Sequence, residues 1–233
     1  MILCHKYRFI FLKTNKTAGT SVEIALSRFC DEGDIVTHLS PEEEALRESV
    51  GGRASERYHS SRARYHPVDW YRRLVHGEYK EDFYNHIPAA KLRRRLPSDI
   101  WNGYYKFCIE RNPWDRVISQ YFWRYRDLAE EERPSIDAFL ESSHVRSLKR
   151  KGYHLYTIRG SMQVDRICRY ENLSEDLESV RQHLGLPEAI ELPKTKSTHR
   201  SDRRHYRDVL TERQRDRIAD LFREEIELMG YEY

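Results

Sequence analysis

The sequence lacks any hydrophobic run long enough to cross a membrane, and it lacks a strong excess of charge of one sign. The longest uncharged apolar stretch near its start is Phe9-Ile10-Phe11-Leu12, far shorter than the roughly 20 residues of a membrane span. Its 41 Lys and Arg residues against 38 Asp and Glu residues leave a net charge of only +3. We therefore expect a cytoplasmic protein without a nucleic-acid partner, in which any anion site is a local cluster.

Cysteine is scarce, and its spacing lacks the close pairs typical of metal and redox sites. The four cysteines form no C-x-x-C motif, and Cys108 and Cys168 lie inside apolar runs that resemble buried strands. We expect all four to be buried, reduced thiols that bind no metal ion. The other two are Cys4 and Cys30.

Three strand-then-helix units follow one another along the chain. The predicted strands are residues 7–12, 104–109 and 164–170, and the helices that follow them begin near Thr20, Asn112 and Asn172. Asn172 opens a sequence that resembles a capping box, and one further helix is predicted from Thr211 onward. This order predicts an α/β fold in which helices flank a central parallel sheet.

A long polar segment, residues 31–99, separates the first two units and shows little periodicity outside residues 89–96. Segments of this length in a compact domain usually cover or build a binding site. We therefore predict one domain, residues 1–233, with a substrate-side insertion at residues 31–99 that contains some helix. The three consecutive arginines at 93–95 are expected to line an exposed helix side, although an anionic glycan could use them.

The loop at residues 13–21 connects a predicted strand to the helix that follows it. Its sequence is K-T-N-K-T-A-G-T-S. Backbone amides, a helix N-terminus, a lysine and two hydroxyls together can hold a phosphate. The loop is not a Walker A motif, because Lys16 precedes Gly19 instead of following it. A solvated turn rich in lysine and threonine is the alternative interpretation.

A second candidate anion site begins at Arg111, at the end of the second predicted strand. An arginine in this position, with Ser119 on the following helix, can hold a phosphate through charge-assisted hydrogen bonds. The alternative is a capped helix that carries a surface charge pattern between Asp115 and Arg116.

Taken together, these segments resemble the P-loop sulfotransferase superfamily, which uses 3'-phosphoadenosine 5'-phosphosulfate (PAPS) as donor. Residues 16–21 match the loop that grips the 5'-phosphosulfate, and Arg111 with Ser119, eight positions later, matches the segment that grips the 3'-phosphate. Residues 105–121 look most like the carbohydrate branch, whose Golgi members carry an anchor that this chain lacks, so a bacterial-type version is expected. Asn15 stands where many members have proline.

The resemblance implies a three-layer P-loop-type fold and transfer of a sulfuryl group to an acceptor hydroxyl, without a metal ion. Lys16 would neutralise charge on the leaving phosphate, and Tyr170, in a Y-E-N-L segment, would lie near the adenine. Lys196 and Arg200, in a basic cluster at residues 194–207, would close over the 3'-phosphate. The expected donor-binding residues are Lys16, Thr17, Ala18, Gly19, Thr20, Ser21, Arg111, Ser119, Tyr170, Lys196 and Arg200.

The resemblance also implies a general base for the acceptor hydroxyl. His86 is the preferred candidate, because related carbohydrate enzymes have an H-x-x-A-like element shortly before the 3'-phosphate strand. His59, His66 and Glu78 remain rivals, and a helix cap or surface position is the alternative for a lone histidine. The acceptor is expected to be a carbohydrate or another hydroxyl compound, and the sequence leaves the oligomeric state open.

Two other function classes remain. A P-loop nucleotide or small-molecule kinase would need magnesium and an acid at the end of the second strand, where the chain offers Glu110. A non-catalytic nucleotide- or glycan-binding module would bind the donor without transfer. The combination of Lys16, Arg111 and Ser119 favours the sulfotransferase interpretation.

Overall fold

The computed structural model describes residues 1–193 and 204–233. Its centre is a five-stranded sheet in the order β3-β1-β2-β4-β7. These strands are β1 (Ile2–Cys4), β2 (Phe9–Leu12), β3 (Ile35–Val36), β4 (Tyr105–Glu110) and β7 (Arg166–Arg169). A separate hairpin pairs β5 (Thr157–Ile158) with β6 (Ser161–Met162).

The sheet is mostly parallel, as the sequence predicts, but it has two strands that the sequence analysis missed. Strands β2, β4 and β7 pair in parallel, whereas β1 lies antiparallel between β2 and β3. Both missed strands are short, at three and two residues, so they carry little periodicity from which to predict them.

The described residues form thirteen α-helices. The first seven are α1 (Gly19–Ser27), α2 (Pro41–Ser49), α3 (Pro67–His76), α4 (Ala89–Arg95), α5 (Ser98–Gly103), α6 (Pro113–Arg124) and α7 (Ile136–Leu140). The others are α8 (Ser143–Arg150), α9 (Tyr153–Tyr156), α10 (Leu173–Leu184), α11 (Tyr206–Val209), α12 (Glu212–Leu221) and α13 (Arg223–Met229). No helix in these ranges has the length and hydropathy of a membrane span.

Helices cover the sheet on both faces, which gives the expected three-layer α/β arrangement. Helices α1 and α10 pack on one face through residues such as Val22 and Leu177. Helices α4, α5 and α9 contribute Leu92, Trp101 and Leu155 to a second cluster, which also contains inward residues of β1, β2 and β4. A third cluster joins α6 to α7, α8 and α12.

Local sequence signals correctly place some of the helix ends and fail at others. The Asn112 side chain accepts from the amides of Trp114 and Asp115, which caps α6 as predicted. Gly185 adopts the left-handed conformation that ends α10. The capping box expected at Asn172 is wrong, because a 3₁₀ turn at residues 170–172 leads directly into α10 and Asn172 makes no side-chain cap bond there.

The helix predicted from Thr211 onward is two helices. Thr211 forms the capping box of α12, and α12 ends at Leu221, because the φ of −118° at Phe222 departs from helical geometry before α13 begins. The Phe222 ring is fully buried. Burial of this aromatic side chain accompanies the break, which the periodicity alone did not reveal.

Residues 31–99 contain helix, as predicted, but they do not form a uniform insertion. Strand β3 joins the central sheet, and α2 packs beside α1 with the side chain of Arg47 fully buried. By contrast, α3 buries none of its residues and exposes Leu74 by 80%. The first part of the segment therefore belongs to the core, and residues 57–83 form its outer part.

All four cysteines are free and buried, as expected. Ligand atoms of Cys4, Cys30 and Asp34 lie within 4.8 Å of one another. The Asp34 carboxylate, however, accepts hydrogen bonds from the amides of His5 and Asp31. The interaction of Cys30 with the Cys4 side chain, together with burial, raises the pKa of Cys30, which keeps this group a neutral thiol.

Candidate functional site

The loop between β2 and α1 is a tight turn held against the next parallel strand. Lys16 and Ala18 adopt positive φ angles of 65° and 60°. A Cβ on Gly19 would lie 2.8 Å from Lys13 Cγ, so any larger residue would force the Lys13 side chain to move. The Thr14 hydroxyl donates to the Ile109 carbonyl of β4. The loop therefore has a fixed shape, with the first amides of α1 at its mouth.

The expected anion-binding side chains meet at this loop. The Arg111 guanidinium donates to the Lys16 carbonyl over 3.2 Å and to Ser119 Oγ over 3.3 Å. It also stacks 4.0 Å above the Tyr170 ring. Arg111 follows β4 and Tyr170 follows β7, which pair in parallel, so their carboxyl ends meet at one edge. Arg111 thus contacts three other predicted residues, which are Lys16, Ser119 and Tyr170.

Asp115 holds Arg111 in this orientation. Its carboxylate accepts two hydrogen bonds from the guanidinium, at 2.6 and 2.9 Å. Asp115, Ser119 and Trp123 are spaced four residues apart on α6, so they share one helical face. The alternative interpretation, a surface charge pattern between Asp115 and Arg116, does not fit the structure, because Arg116 is fully buried and bonded to Glu110 over 2.8 Å.

Lys16 lies among other cations. Burial lowers the pKa of Lys16 to about 8, and the positive charges of Arg111 and Arg126 act in the same direction. Its ammonium lies 5.2 Å from the centre of the Trp123 ring, and Arg126 lies 4.8 Å from the same ring. Sequence reasoning missed Trp123 and Arg126, although Trp123 is one helical turn beyond Ser119. Cations converging in this way favour a bound polyanion.

The three hydroxyl residues expected to bind the donor at this loop, Thr17, Thr20 and Ser21, have different environments. The Thr17 hydroxyl is buried and lies 2.8 Å from that of Thr14, so this residue offers its amide to a ligand. Thr20 is partly exposed at the start of α1, and Ser21 is buried beside it. Lys196 and Arg200 lie outside the described residues.

His86 lies against the same loop. Its Nδ1 is 2.9 Å from the Lys13 carbonyl oxygen. A carbonyl only accepts, so Nδ1 carries the proton and Nε2 presents a lone pair. Burial, with a contribution from the Lys13 charge, lowers the pKa of His86 to about 3. The ring is therefore neutral at physiological pH, and its unprotonated Nε2 can accept a hydrogen bond.

A buried charge network, which the sequence analysis missed, anchors the Lys13 end of the loop. Lys13 Nζ is 3.1 Å from the Glu23 carboxylate and 3.3 Å from Asn85 Oδ1. Glu23 also contacts Arg47 and Thr37, at 3.4 and 2.8 Å. Burial alone would raise the pKa of Glu23, but the surrounding positive charges, Lys13 foremost, lower it to about 2. Asn85 precedes His86, so the network reaches the histidine.

The rival bases lie in the outer part of the insertion. His59 is exposed and contacts the rings of Tyr58 and Tyr79. His66 is exposed at the start of α3, and Glu78 is also exposed. Within the described parts of the chain, none of the three makes a hydrogen bond to the loop at residues 13–21. The structure thus brings His86 to the loop and leaves the rivals outside it.

Glu110 is also buried at this edge, directly before Arg111. It pairs with Arg116, which donates further to the Leu148 carbonyl over 2.8 Å. Burial raises the pKa of Glu110 to about 7, against the opposing charge of Arg116. The carboxylate of Glu110 at the end of β4 is therefore buried and already forms an ion pair with Arg116.

Comparison with known proteins shows the family of the chain. A family model described as "Sulfotransferase family" matches residues 1–232. A relative named "Uncharacterized protein" from Archaeoglobus fulgidus is 33% identical over 107 residues, which cover 46% of this chain and 88% of that protein. No solved structure matches the chain. Since the family model spans nearly the whole sequence, the chain belongs to the sulfotransferase family.

Proposed function

We propose that the protein transfers a sulfuryl group from PAPS to an acceptor hydroxyl, with a carbohydrate as the acceptor. Membership of the family gives sulfuryl transfer as the general activity. The observation that best supports PAPS as the donor is the position of Arg111. Its guanidinium contacts Ser119, the Lys16 carbonyl and the Tyr170 ring. These groups match a ligand with a phosphate, an aromatic base and a second phosphate at the neighbouring loop.

The residues present fit such a donor. The amides of residues 17–20, with the hydroxyls of Thr20 and Ser21, would hold the 5'-phosphate at the start of α1. Arg111 and Ser119 would hold the 3'-phosphate. Tyr170, which already stacks on Arg111, would lie along the adenine. Lys16, Arg111 and Arg126 supply the positive charge that a bisphosphate requires.

Electrostatic stabilisation would carry most of the catalysis, as it does in phosphoryl transfer. The Lys16 ammonium would neutralise the charge that develops on the leaving phosphate oxygen. His86 Nε2 would take the proton of the acceptor hydroxyl, whose oxygen forms the new bond to sulfur in line with the leaving group. The Lys13 carbonyl would stabilise the imidazolium through Nδ1, to which it already binds.

The outer part of the insertion supports a carbohydrate acceptor. A row of rings runs from His38 through Tyr58 and His59 to Tyr79, with centroids 5.9, 4.0 and 5.1 Å apart. The row begins near the base, because the Asn85 side chain donates to the His38 carbonyl over 2.5 Å. Aromatic rings with polar tips suit the mixed apolar and polar faces of sugars. We therefore assign residues 57–83 to the acceptor side.

The kinase alternative is less favoured. It needs an acid at the end of β4 for a magnesium ion, and Glu110 is buried there in a pair with Arg116. A non-catalytic module would need only the phosphate contacts. The neutral, oriented His86 beside the loop favours an enzyme, because binding alone has no use for a free Nε2 at that position.

Binding of adenosine 3',5'-bisphosphate tests the donor site. We expect calorimetric titration without magnesium to show tight binding, which Arg111→Ala weakens by about 10- to 100-fold and Ser119→Ala by less, since hydrogen bonds between charged groups exceed those to neutral groups. Arg213→Ala, which removes an exposed arginine on α12, is the matched control and should bind normally. If ATP instead bound as tightly as the bisphosphate, and only in the presence of magnesium, the result would support the kinase alternative.

The pKa of Lys16 predicts how this affinity depends on pH. The ammonium form binds phosphate, and in the free protein Lys16 loses its proton as the pH rises through about 8. Affinity should therefore be constant near neutral pH and fall by up to about tenfold per pH unit above about 8. Titrations between about pH 7 and about pH 10 measure this. Lys16→Arg should remove the decline, and a wild-type affinity that stays flat to the upper limit would contradict the prediction.

A further inference from the structure

A second cationic pocket lies between α4 and the β5–β6 hairpin. Its volume is about 680 Å³. Helix α4 and the hairpin share one core, in which Leu92 packs near Tyr156 and Ile158, so the two walls of the pocket are fixed relative to each other. The polar residues that line it are Arg93, Arg94, Arg159, Ser161 and Gln163.

The three arginines of this pocket converge without compensating acids. All three are exposed, and within residues 1–193 and 204–233 none of them forms an ion pair with a carboxylate. The adjacent Arg95 differs, because it donates to the Asp82 carbonyl and lies over the Tyr84 ring. Like charges that share a pocket repel one another, so their convergence favours a bound anion.

The hairpin presents Arg159 at an unusual backbone position. The β5–β6 pairing leaves Arg159 and Gly160 as a two-residue turn, with φ angles of 52° and 79°. Glycine or asparagine is the ordinary choice at the first of these positions. An arginine there places a five-donor guanidinium at the hairpin tip. The planar guanidinium can donate two parallel hydrogen bonds to a carboxylate or sulfate group, whereas the ammonium of a lysine acts as a single point charge.

The pocket is within reach of His86. Ala90, which lines it, follows His86 by four residues, so their Cα atoms lie within about 14 Å of each other. The segment between them is fixed, since Ile87 and Ala89 are buried in the core. One elongated molecule could therefore place a hydroxyl at the histidine and another group in the pocket.

We propose that Arg93, Arg94 and Arg159 form an acceptor subsite that binds a carboxylate or sulfate group of an acidic acceptor. The inference rests on the proposed function, because it takes the molecule in the pocket to be the one whose hydroxyl reaches His86. The substrate class is then an acidic oligosaccharide, and neutral sugars are poor acceptors.

The test compares two probes, a partly sulfated tetrasaccharide that keeps free hydroxyl groups and its unsulfated parent. Each is titrated calorimetrically into the full chain in the presence of saturating adenosine 3',5'-bisphosphate, which occupies the donor site. The wild type should bind the sulfated probe and bind the parent weakly. Arg93→Ala, Arg94→Ala and Arg159→Ala should each weaken binding of the sulfated probe by about tenfold, as expected for charge-assisted hydrogen bonds.

The matched control is Arg213→Ala, which also removes one exposed positive charge and should leave binding of the sulfated probe unchanged. Equal affinity of the three pocket variants and the wild type, equal affinity for both probes, or no binding of the sulfated probe would each overturn the subsite. Titration with the bisphosphate alone reports the proposed function separately. Thermal melting confirms that every variant is folded.

Discussion

Replacing His86 with alanine should lower kcat by about 10² to 10⁴, the usual contribution of a general base. Affinity for adenosine 3',5'-bisphosphate should stay the same, because the described contacts of Arg111 and Lys16 do not include His86. The physical reason is the fixed tautomer, since the Lys13 carbonyl holds the Nδ1 proton and leaves Nε2 to take the hydroxyl proton. The measurement is release of the bisphosphate from PAPS with a panel of hydroxyl acceptors.

The control for His86→Ala is His66→Ala, which removes an exposed imidazole at the start of α3 and should keep full turnover. The pH profile adds an independent check. Because burial lowers the pKa of His86 to about 3, its protonation should not reduce kcat/KM between about pH 7 and about pH 5, unlike that of an ordinary histidine. Normal turnover of His86→Ala with unchanged bisphosphate affinity would show that another group is the base.

Replacing Glu23 with glutamine should destabilise the fold by about 3 to 5 kcal/mol, because it leaves buried cations without their counter-charge. The side chains of Glu23 and Arg47 are completely buried, and that of Lys13 is 6% exposed. Glutamine keeps the shape and removes the charge, so the change isolates the electrostatic effect. Urea denaturation followed by circular dichroism measures the free energy of unfolding.

The same carboxylate predicts how stability depends on pH. Its pKa is about 2 in the folded protein, below the ordinary value of about 4.3 in an unfolded chain. The Glu23 carboxylate therefore makes its full contribution to folding stability above about pH 4.3. This contribution is lost as the pH falls from about 4.3 through about 2. Wild-type stability should decline over this range more steeply than that of Glu23→Gln.

Glu178→Gln is the matched control for the buried carboxylate. Hydrogen bonds from Arg181 and Gln182 also lower the pKa of Glu178 to about 2, but its side chain on α10 is 44% exposed, whereas that of Glu23 is fully buried. Water and salt screen the exposed pair, so the urea midpoint should barely move. If the two substitutions had equal effects, burial of the Glu23 network would not be the source of its stabilisation.

Much of the candidate donor site could be predicted because each of its elements is a short continuous segment of sequence. The spacing from Lys16 to Ser21 and from Arg111 to Ser119 lies within single strand–loop–helix units. Since parallel strands end at the same edge of a sheet, predicting the units also placed Arg111 beside the loop. The contacts of Arg111 with the Lys16 carbonyl and Ser119 agree with that reasoning.

The missed features depend on residues far apart in the chain. Glu23 meets Arg47 across 24 positions and Thr37 across 14, and Lys13 meets Asn85 across 72. Each of these residues, taken alone in the sequence, has the appearance of an ordinary surface polar residue. Likewise the pocket of Arg93, Arg94 and Arg159 exists only because α4 packs beside the hairpin.

The sequence by itself determined the α/β class, the strand–loop–helix order and the place of the loop at residues 13–21, because periodicity, caps and motif spacing are local properties of a chain. Only the tertiary structure decided the direction and place of β1 and β3, the tautomer and neutrality of His86, and the buried network behind Lys13. Those properties depend on burial and on charges brought within about 4 Å of each other, where a low dielectric strengthens every interaction. The strength of these interactions depends on the distance between the groups in the folded protein, and the spacing of residues along the sequence does not give that distance.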